Sequence, residues 1–399
     1  MALPLEGIRV LDLSRLLPGP FGTQILADFG ADVIKIEDTE HGDGFRHAGP
    51  NINGVSARHM TLNRNKRCLS LNLKMQEGRQ IFLDLAREAD VVLEQFRPGV
   101  MERLGLGYEA VRAVRPQIVY CSLSGFGQDG PYRTLAAHDP NYMSLSGILS
   151  LVGRAGGPPA LSGLQVADLS GSLYAVIGIL IALREAERTG NGSYLDIALF
   201  DSLIGSAVTA ASSYFGTGKA PQRGEERHSG RYPFSDIYET SDGEYLTLCA
   251  IEGHFWRNLC KALGREDWIE RQYVEGPEGE EMRTEMARIF RTRTRDQWFA
   301  ELGPLDTCIA PVLSLGEALE SEQATIRRSV RMHEHPEAGS VPVLSTPIAM
   351  SGVDLAVRRP AGRLGEDTDA VLRDLGYDTS TIAALHRSGA VSGPDPDAA

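Results

Sequence analysis

The chain has 399 residues, of which 42% are hydrophobic, and a formal net charge of −13 at pH 7. This length exceeds what one ordinary hydrophobic core supports, so two domains are expected. The excess of negative charge argues against nucleic acid and against an anionic membrane surface as the main partner.

The N-terminal segment predicts a βαβ unit, and it lacks the basic head and apolar core of a signal peptide. Residues 8–13 are an apolar run that ends in a Pro-Gly turn. Residues 21–29 have helical spacing and end at Gly30, and residues 31–37 have the pattern of a second strand. Strand, helix and strand in this order indicate a Rossmann-like fold.

The alternation of strands and helices continues to residue 124. The basic cluster 63–67 is either a phosphate-binding group or a solvated loop. The elements predicted after it are a strand at 68–74, a helix at 78–89, a strand at 90–94, a helix at 108–114 and a strand at 118–124. This pattern predicts an α/β domain with a mainly parallel sheet, whose ligands bind at the carboxyl ends of the strands.

Residues 125–130 fit the pattern GxGxxG and follow a strand. A dinucleotide site also requires a helix directly after the glycines and an acidic residue about 20 positions further on. Here Pro131 and more loop follow. The glycines are therefore predicted to shape a turn beside the site, and no nicotinamide cofactor is expected.

Two loop-to-helix junctions carry the candidate acid–base residues, His138 and Asp168. Burial and neighbouring charges can bring both side chains toward a neutral pKa, which suits proton transfer. We expect the first amide N–H groups of the helix at Asp168 to stabilise a developing oxyanion. The alternatives are that Asp168 only caps this helix and that His138 only bonds a backbone carbonyl.

The second half of the chain predicts a smaller domain. A strand at 194–200 and a helix at 201–215 are followed by the polar segment 218–230, which indicates a crossing between domains. Residues 245–251 have the pattern of a strand within the second domain. Residues 386–399 are predicted to be a disordered tail.

No membrane span, disulfide or metal site is predicted. The most apolar run, residues 173–183, is shorter than the ~20 residues that a membrane span needs. The two histidines in residues 333–336 have no third ligand nearby. The scattered cysteines are typical of reduced thiols, so we expect a cytoplasmic protein. The cysteines are Cys68, Cys121, Cys249, Cys260 and Cys308.

Seven motifs together resemble those of CoA-transferase family III, which includes CoA-transferases and 2-methylacyl-CoA racemases. They are LEGIRVLD at 5–12, PGP at 18–20, GADVIKIE at 30–37, NRNKR at 63–67, FRPG at 96–99, HDPNY at 138–142 and GRLGEDT at 362–368. The resemblance implies a Rossmann-like large domain, residues 1–220 and 330–385, and a small α+β domain, residues 221–329. It also implies an interlocked homodimer with a site between domains and subunits.

The resemblance implies an acyl-CoA thioester as substrate and no separate cofactor. In its racemase form, Asp168 and His138 are the two bases, and Glu252 orients the histidine. The residues implied for binding the substrate are Leu16, Leu71, Leu73, Lys74, Gln95, Phe96, Arg97, Arg103 and Tyr142. The family position that is frequently basic is Asp38 here, so Lys35 or Arg64 is expected to contact phosphate instead.

The resemblance leaves three functions open. A CoA-transferase would use Asp168 as a nucleophile that forms a mixed anhydride and then an aspartyl-CoA thioester. A racemase would use both His138 and Asp168, and the histidine of HDPNY favours this function. Leu164, where the racemases have Asn, and Pro140 depart from the racemase pattern. The third function, a catalytically silent acyl-CoA-binding subunit, is disfavoured by the intact Asp168.

Overall fold

The computed structural model describes residues 2–393. Its strands are β1 (Arg9–Leu13), β2 (Asp32–Glu37), β3 (Asn51–Ile52), β4 (Val55–Ser56), β5 (Lys66–Leu71), β6 (Val91–Glu94), β7 (Val119–Ser124), β8 (Ser193–Ala198), β9 (Ser235–Glu239), β10 (Tyr245–Cys249), β11 (Ile309–Pro311), β12 (Val330–His335), β13 (Gly339–Leu344) and β14 (Val391–Ser392).

The helices alternate with these strands through the first part of the chain. They are α1 (Pro18–Asp28), α2 (Ala57–Asn63), α3 (Gln76–Arg87), α4 (Val100–Leu104), α5 (Tyr108–Val114), α6 (Asp139–Leu145), α7 (Val166–Thr189), α8 (Leu199–Ser206), α9 (Val208–Thr217), α10 (Gly253–Ala262), α11 (Gly276–Phe290), α12 (Arg295–Leu302), α13 (Leu315–Glu320), α14 (Glu322–Ile326), α15 (Thr368–Asp374) and α16 (Thr379–Ser388).

The chain divides into two compact units. The second unit consists of Gly147–Gly163 and Ala207–Glu322, and the first contains the rest. Residues 147–163 and 207–220, which the sequence assigned to the large domain, therefore lie in the second unit. For residues 147–163 the physical reason is hydrogen bonding within this unit, because the Arg223 guanidinium donates to the carbonyl oxygens of Gly157 and Ser150.

The first unit is built on a seven-stranded sheet in the order β14-β5-β2-β1-β6-β7-β8. All neighbouring pairs are parallel except β14 with β5, so the prediction of a mainly parallel sheet is confirmed. The strand order reverses direction between β1 and β6. Ligands of open parallel sheets bind in the crevice beyond the carboxyl ends of such a strand pair.

A buried group of charges secures the turn that follows β1. Asp12 on β1 accepts hydrogen bonds from Lys66 Nζ at 3.1 Å and Thr23 Oγ1 at 2.6 Å, and all three residues are fully buried. Burial alone would raise the pKa of Asp12, but Lys66 and Lys35 hold it well below its usual range. These contacts join β1, β5 and α1.

The second unit has a three-stranded antiparallel sheet in the order β11-β10-β9. Helices α10–α12 contribute large aromatic side chains to its core. The buried indole N–H groups are satisfied, since Trp256 donates to the Trp268 carbonyl at 3.0 Å and Trp298 donates to the Phe290 carbonyl at 2.8 Å. This unit therefore has its own hydrophobic core.

Helix α7 is longer than its apolar run suggested. Within residues 2–393 it is the one helix with the length and apolar composition of a membrane span. Length and composition do not separate such a span from a core helix, and one face of α7 packs against α1 and α8. Its opposite face exposes Leu173, Tyr174, Ile177, Leu180 and Ile181.

The prediction of a disordered tail from residue 386 is wrong for residues 386–393. Helix α16 continues to Ser388, and β14 pairs with Leu71 and Ser70 of β5. Ala390 and Val391 are almost fully buried, so this segment gains apolar burial as well as sheet hydrogen bonds. The rest of the predicted tail, residues 394–399, lies outside the described residues.

Removal of residues 390–399 should therefore destabilise the first unit, because it deletes β14 and uncovers the edge of β5. We expect a loss of about 2–4 kcal/mol in the free energy of unfolding, measured by urea denaturation. Removal of residues 394–399 alone is the matched control, since it keeps β14. Equal stability of the two truncated proteins would contradict the structural role of β14.

Candidate functional site

The first turns of α6 and α7 are joined by one carboxylate. His138 is the residue before α6, and its amide N–H donates to Asn141 Oδ1 at 3.0 Å. Asp139, the first residue of α6, accepts through Oδ2 from the amides of Ala167 at 2.7 Å and Asp168 at 3.2 Å. The histidine and the aspartate that the sequence singled out therefore sit on two helix starts that Asp139 connects.

The Asp168 carboxyl group is partly buried in the first turn of α7. Burial raises its pKa to about 7, and the nearby charge of Asp139 contributes in the same direction. Within residues 2–393 its carboxylate has neither a hydrogen-bond donor nor a cation as partner. A carboxyl group in this state can both take up and release a proton near neutral pH.

The prediction that amides of α7 stabilise an oxyanion is wrong. The amides of Ala167 and Asp168 already bind the Asp139 carboxylate. The amide of Val166 donates to the Leu164 carbonyl at 3.1 Å, and the amide of Leu169 donates to the Gln165 carbonyl at 3.0 Å. The amide N–H groups of residues 166–169 are all engaged within the protein, so none of these four is left to bind a substrate oxygen.

His138 lines a cavity of about 390 Å³ together with Asn141 and Tyr142. Asp168 is not part of the cavity wall, but it lies close to Tyr142. Burial and then the charges of Asp168 and Asp139 raise the pKa of that phenol to about 12. The Tyr142 hydroxyl donates to the Ala137 carbonyl at 3.0 Å, which holds the ring between the two helix starts.

The glycine-rich turn after β7 lies beside this cavity, as predicted. Gly125 is part of the cavity wall, and a Cβ at this position would lie 2.6 Å from the Tyr142 ring. Gly127 and Gly130 have positive φ angles of 85° and 77°. The glycines therefore allow the turn to pass close to Tyr142.

A second cavity, of about 400 Å³, brings together four of the predicted substrate-binding residues: Leu71, Leu73, Lys74 and Phe96. Phe96 also belongs to the wall of the first cavity, where Gln95 and Arg97 join it. The exposed Arg15 guanidinium lies 5.3 Å from the Phe96 ring centre in a cation–π contact. The segment after β6 thus borders both cavities.

Two of the predicted phosphate contacts are wrong. Lys35 is fully buried, and its ammonium group binds the Ser14 carbonyl at 2.9 Å and Asp43 at 3.0 Å. Arg64 is 4% exposed and forms a 2.7 Å ion pair with Asp28. Both cations are paired with carboxylates inside the protein, because a buried charge is stable only when it is paired. They are therefore not available to phosphate groups.

The remaining predicted residues line neither cavity. Leu16 is exposed, and its amide N–H donates to the Asp43 carboxylate at 3.1 Å. Arg103 is an exposed residue of α4. Glu252 lies in the second unit, exposed at the residue before α10, and its role in orienting a histidine stays a prediction.

Sequence reasoning missed two carboxylates of this region, Asp139 and Glu94. Asp139 stands inside the HDPNY motif, and its place at a helix start was the signal that could have identified it. Glu94 ends β6 and accepts the Phe96 amide N–H at 2.8 Å; burial raises its pKa to about 7. No group of three potential metal ligands occurs within residues 2–393.

The raised pKa of Asp168 predicts how stability depends on pH. The folded-state pKa is about 7 and the ordinary value is 3.8, so stability should fall as pH rises between these values and stay level above them. Asp168→Asn removes this titration. At pH 8 we expect the variant to be about 1–3 kcal/mol more stable than the wild type, with little difference near pH 4.

Urea denaturation at pH 4, 6 and 8 measures this difference. Asp201→Asn, at an exposed position on α8, is the matched control and should follow the wild type at each pH. If wild type and Asp168→Asn change in parallel with pH, the carboxyl group does not have a raised pKa in the folded protein.

Comparison with known proteins agrees with this arrangement. The chain matches the model of CoA-transferase family III over residues 5–368. It is 36% identical to alpha-methylacyl-CoA racemase of Mus musculus, over 96% of each chain. It is 34% identical to acetyl-CoA:oxalate CoA-transferase of Acetobacter aceti, over 93% of this chain and 95% of the relative.

Among solved structures, a CAIB/BAIF family protein from Brucella suis has a TM-score of 0.82 and 32% sequence identity, with 94% of this chain and 100% of that chain covered. The relatives include both racemases and CoA-transferases, and those compared cover at least 93% of this chain. The parallel sheet and the two joined helix starts accompany a similarity that extends over nearly the whole chain. The chain therefore belongs to CoA-transferase family III.

Proposed function

We propose that the protein inverts the α-carbon of a 2-methylacyl-CoA by proton transfer, with His138 and Asp168 as the two bases. The observation that carries the proposal is the bridge made by Asp139. Its carboxylate binds the amides of Ala167 and Asp168, while the residue before it is His138. This bridge joins the helix start that carries His138 to the helix start that carries Asp168, and a two-base mechanism needs one basic group on each face of the same carbon.

The chemistry balances without an acceptor acid. One base removes the α-proton, and the C–H electron pair forms the enolate of the thioester. The other base, protonated at the start, delivers its proton to the opposite face of the same carbon. A pKa near 7 suits Asp168 to either role, because the group is present in both protonation states at neutral pH.

The two cavities that share Phe96 support a CoA thioester as substrate. The cavity of Lys74 and Arg15 offers cations for phosphate groups, and Phe96 offers an apolar surface along the way to the cavity of His138. We expect the acyl-CoA to extend from the cavity of Lys74 to the cavity of His138 along Phe96. The resemblance assigns to CoA both Lys74, which lines the second cavity, and Arg97, which lines the first.

We also propose that the chain forms an interlocked homodimer in the cytoplasm. The exposed face of α7 presents five large apolar side chains, whose exposed fractions range from 40% for Leu180 to 66% for Ile181. A contiguous apolar surface of this kind is normally covered by a partner. The resemblance implies that the partner is a second copy of this chain.

The test is exchange of the α-hydrogen in deuterium oxide. With a single enantiomer of 2-methylbutanoyl-CoA and no acceptor acid, we expect deuterium at the α-carbon together with loss of optical purity. His138→Gln and Asp168→Asn should each slow racemisation by roughly 100-fold or more. His386→Gln, which replaces a histidine paired with Asp369, is the matched control and should be unchanged.

A CoA-transferase is the second candidate, and the unpartnered carboxylate of Asp168 favours it. A carboxylate with no hydrogen-bond donor is free to attack the thioester carbonyl and expel CoA thiolate as a mixed anhydride forms. Hydroxylamine would then trap an activated acyl group on Asp168 when acyl-CoA is present. Such an adduct, with no deuterium at the α-carbon, would replace the racemase proposal by this one.

A further inference from the structure

Two cysteines of the second unit lie opposite each other in its antiparallel sheet. Strands β10 and β11 pair with Leu248 opposite Ile309, so the next residues along the two strands, Cys249 and Cys308, are also opposite. The Cys249 amide N–H donates to the Cys308 carbonyl at 3.0 Å, which extends the pairing one residue beyond β11. Both residues belong to the second unit, so the pair is internal to it.

The spacing of opposite strand residues suits a disulfide. Their Cα atoms are about 4.5–5.5 Å apart in an antiparallel pair, and a disulfide needs a Cα separation of about 4.4–6.8 Å. Burial raises the pKa of the Cys308 thiol, and the charges of Glu252 and Cys249 contribute in the same direction. The two sulfur groups are therefore close enough to interact.

The backbone before Cys308 is fixed by its surroundings. Asp306 and Cys308 have positive φ angles of 57° and 52°, which residues other than glycine rarely adopt. Asn258 on α10 supports this segment, because its Nδ2 donates to the carbonyls of Leu305 and Asp306, each at 3.2 Å. A strained backbone of this kind persists only when neighbouring groups hold it. Cys308 is thus held in place opposite Cys249.

An oxidant can reach this pair more easily than the other thiols. All five cysteines are free, and Cys308 is exposed. Cys249 is half-buried and lines a cavity of about 810 Å³ in the second unit. The remaining three, Cys68, Cys121 and Cys260, are 0% exposed. Solvent access therefore separates the pair from the rest.

We infer that Cys249 and Cys308 form a reversible disulfide when the protein meets a peroxide. The Cys308 thiolate attacks one peroxide oxygen, the O–O bond breaks, and a sulfenic acid and water result. The Cys249 thiolate then attacks the sulfenic sulfur and a second water leaves. Two thiols and one hydrogen peroxide thus give one disulfide and two waters, and an added thiol reduces the bond again.

The bridge would join the end of β10 to the start of β11 beside Glu252. Glu252 follows Cys249 by three positions and precedes α10, and its charge already acts on the Cys308 thiol. Disulfides in cytosolic proteins are mostly transient and serve catalysis or redox sensing. The pair is therefore a modification site within the second unit, and its existence does not rest on the proposed function.

The test is disulfide mapping by mass spectrometry after treatment of the full chain with hydrogen peroxide. The peroxide is used in excess, because a raised thiol pKa lowers the fraction of reactive thiolate. Remaining thiols are alkylated in denaturant before digestion. We expect the loss of two of the five thiols, one linked peptide that contains Cys249 and Cys308, and recovery of all five thiols after dithiothreitol.

Cys249→Ser and Cys308→Ser should each abolish the linked peptide. Ser235→Ala is the matched control, since it removes a hydroxyl 3.9 Å from Cys249 Sγ and keeps both thiols, so the linked peptide should persist. Three results would overturn the inference: both thiols still alkylated after peroxide, separate oxidation of Cys308 to a sulfinic acid with Cys249 unchanged, or a link between Cys308 residues of two chains. Deuterium exchange at the α-carbon, measured on the reduced protein, reports the proposed function separately.

Discussion

The hydrogen bonds of the Asp139 carboxylate are the interaction on which the candidate site depends. The start of a helix leaves amide donors without partners, and a negative charge there is favoured by the helix dipole. From the start of α6, the Asp139 carboxylate accepts hydrogen bonds from two of these amides of α7 and places its negative charge at the positive end of that helix. Its charge also lies beside Asp168 and adds to the effect of burial on the pKa of that group. One side chain thus contributes to both the position and the protonation of Asp168.

The walls of the two cavities depend on a second set of contacts at the carboxyl ends of β1 and β6. The buried pair of Asp12 and Lys66 secures the turn after β1. That turn binds the segment after β6, since the Gly19 amide donates to Gln95 Oε1 at 3.2 Å. Glu94 binds the Phe96 amide in the same segment. Phe96, which borders both cavities, is therefore held by the central strands of the sheet.

Local charge in this protein differs from its net charge. The chain is acidic overall, yet the cavity of His138 is lined by two arginines, Arg97 and Arg133. Lys35 and Arg64, by contrast, are basic residues that cannot contact a ligand. Folding buries them in ion pairs with Asp43 and Asp28. Whether a basic side chain is available to a substrate depends on which carboxylates fold next to it. Net charge describes the solubility and broad partners of the molecule, and it does not describe its sites.

The parallel sheet, its alternation with helices and the two helix starts at His138 and Asp168 were all readable from the order of residues. They follow from hydrophobic periodicity and turn residues, which act over short distances along the chain. The motifs that resemble the family identified the same two residues. The partners of the α7 amides, the burial of Lys35 and Arg64, and the return of β14 to the sheet were not readable in this way. Several of these contacts join residues that are far apart in sequence, such as Asp139 with Ala167 and Val391 with Leu71, so they exist only after the chain has folded.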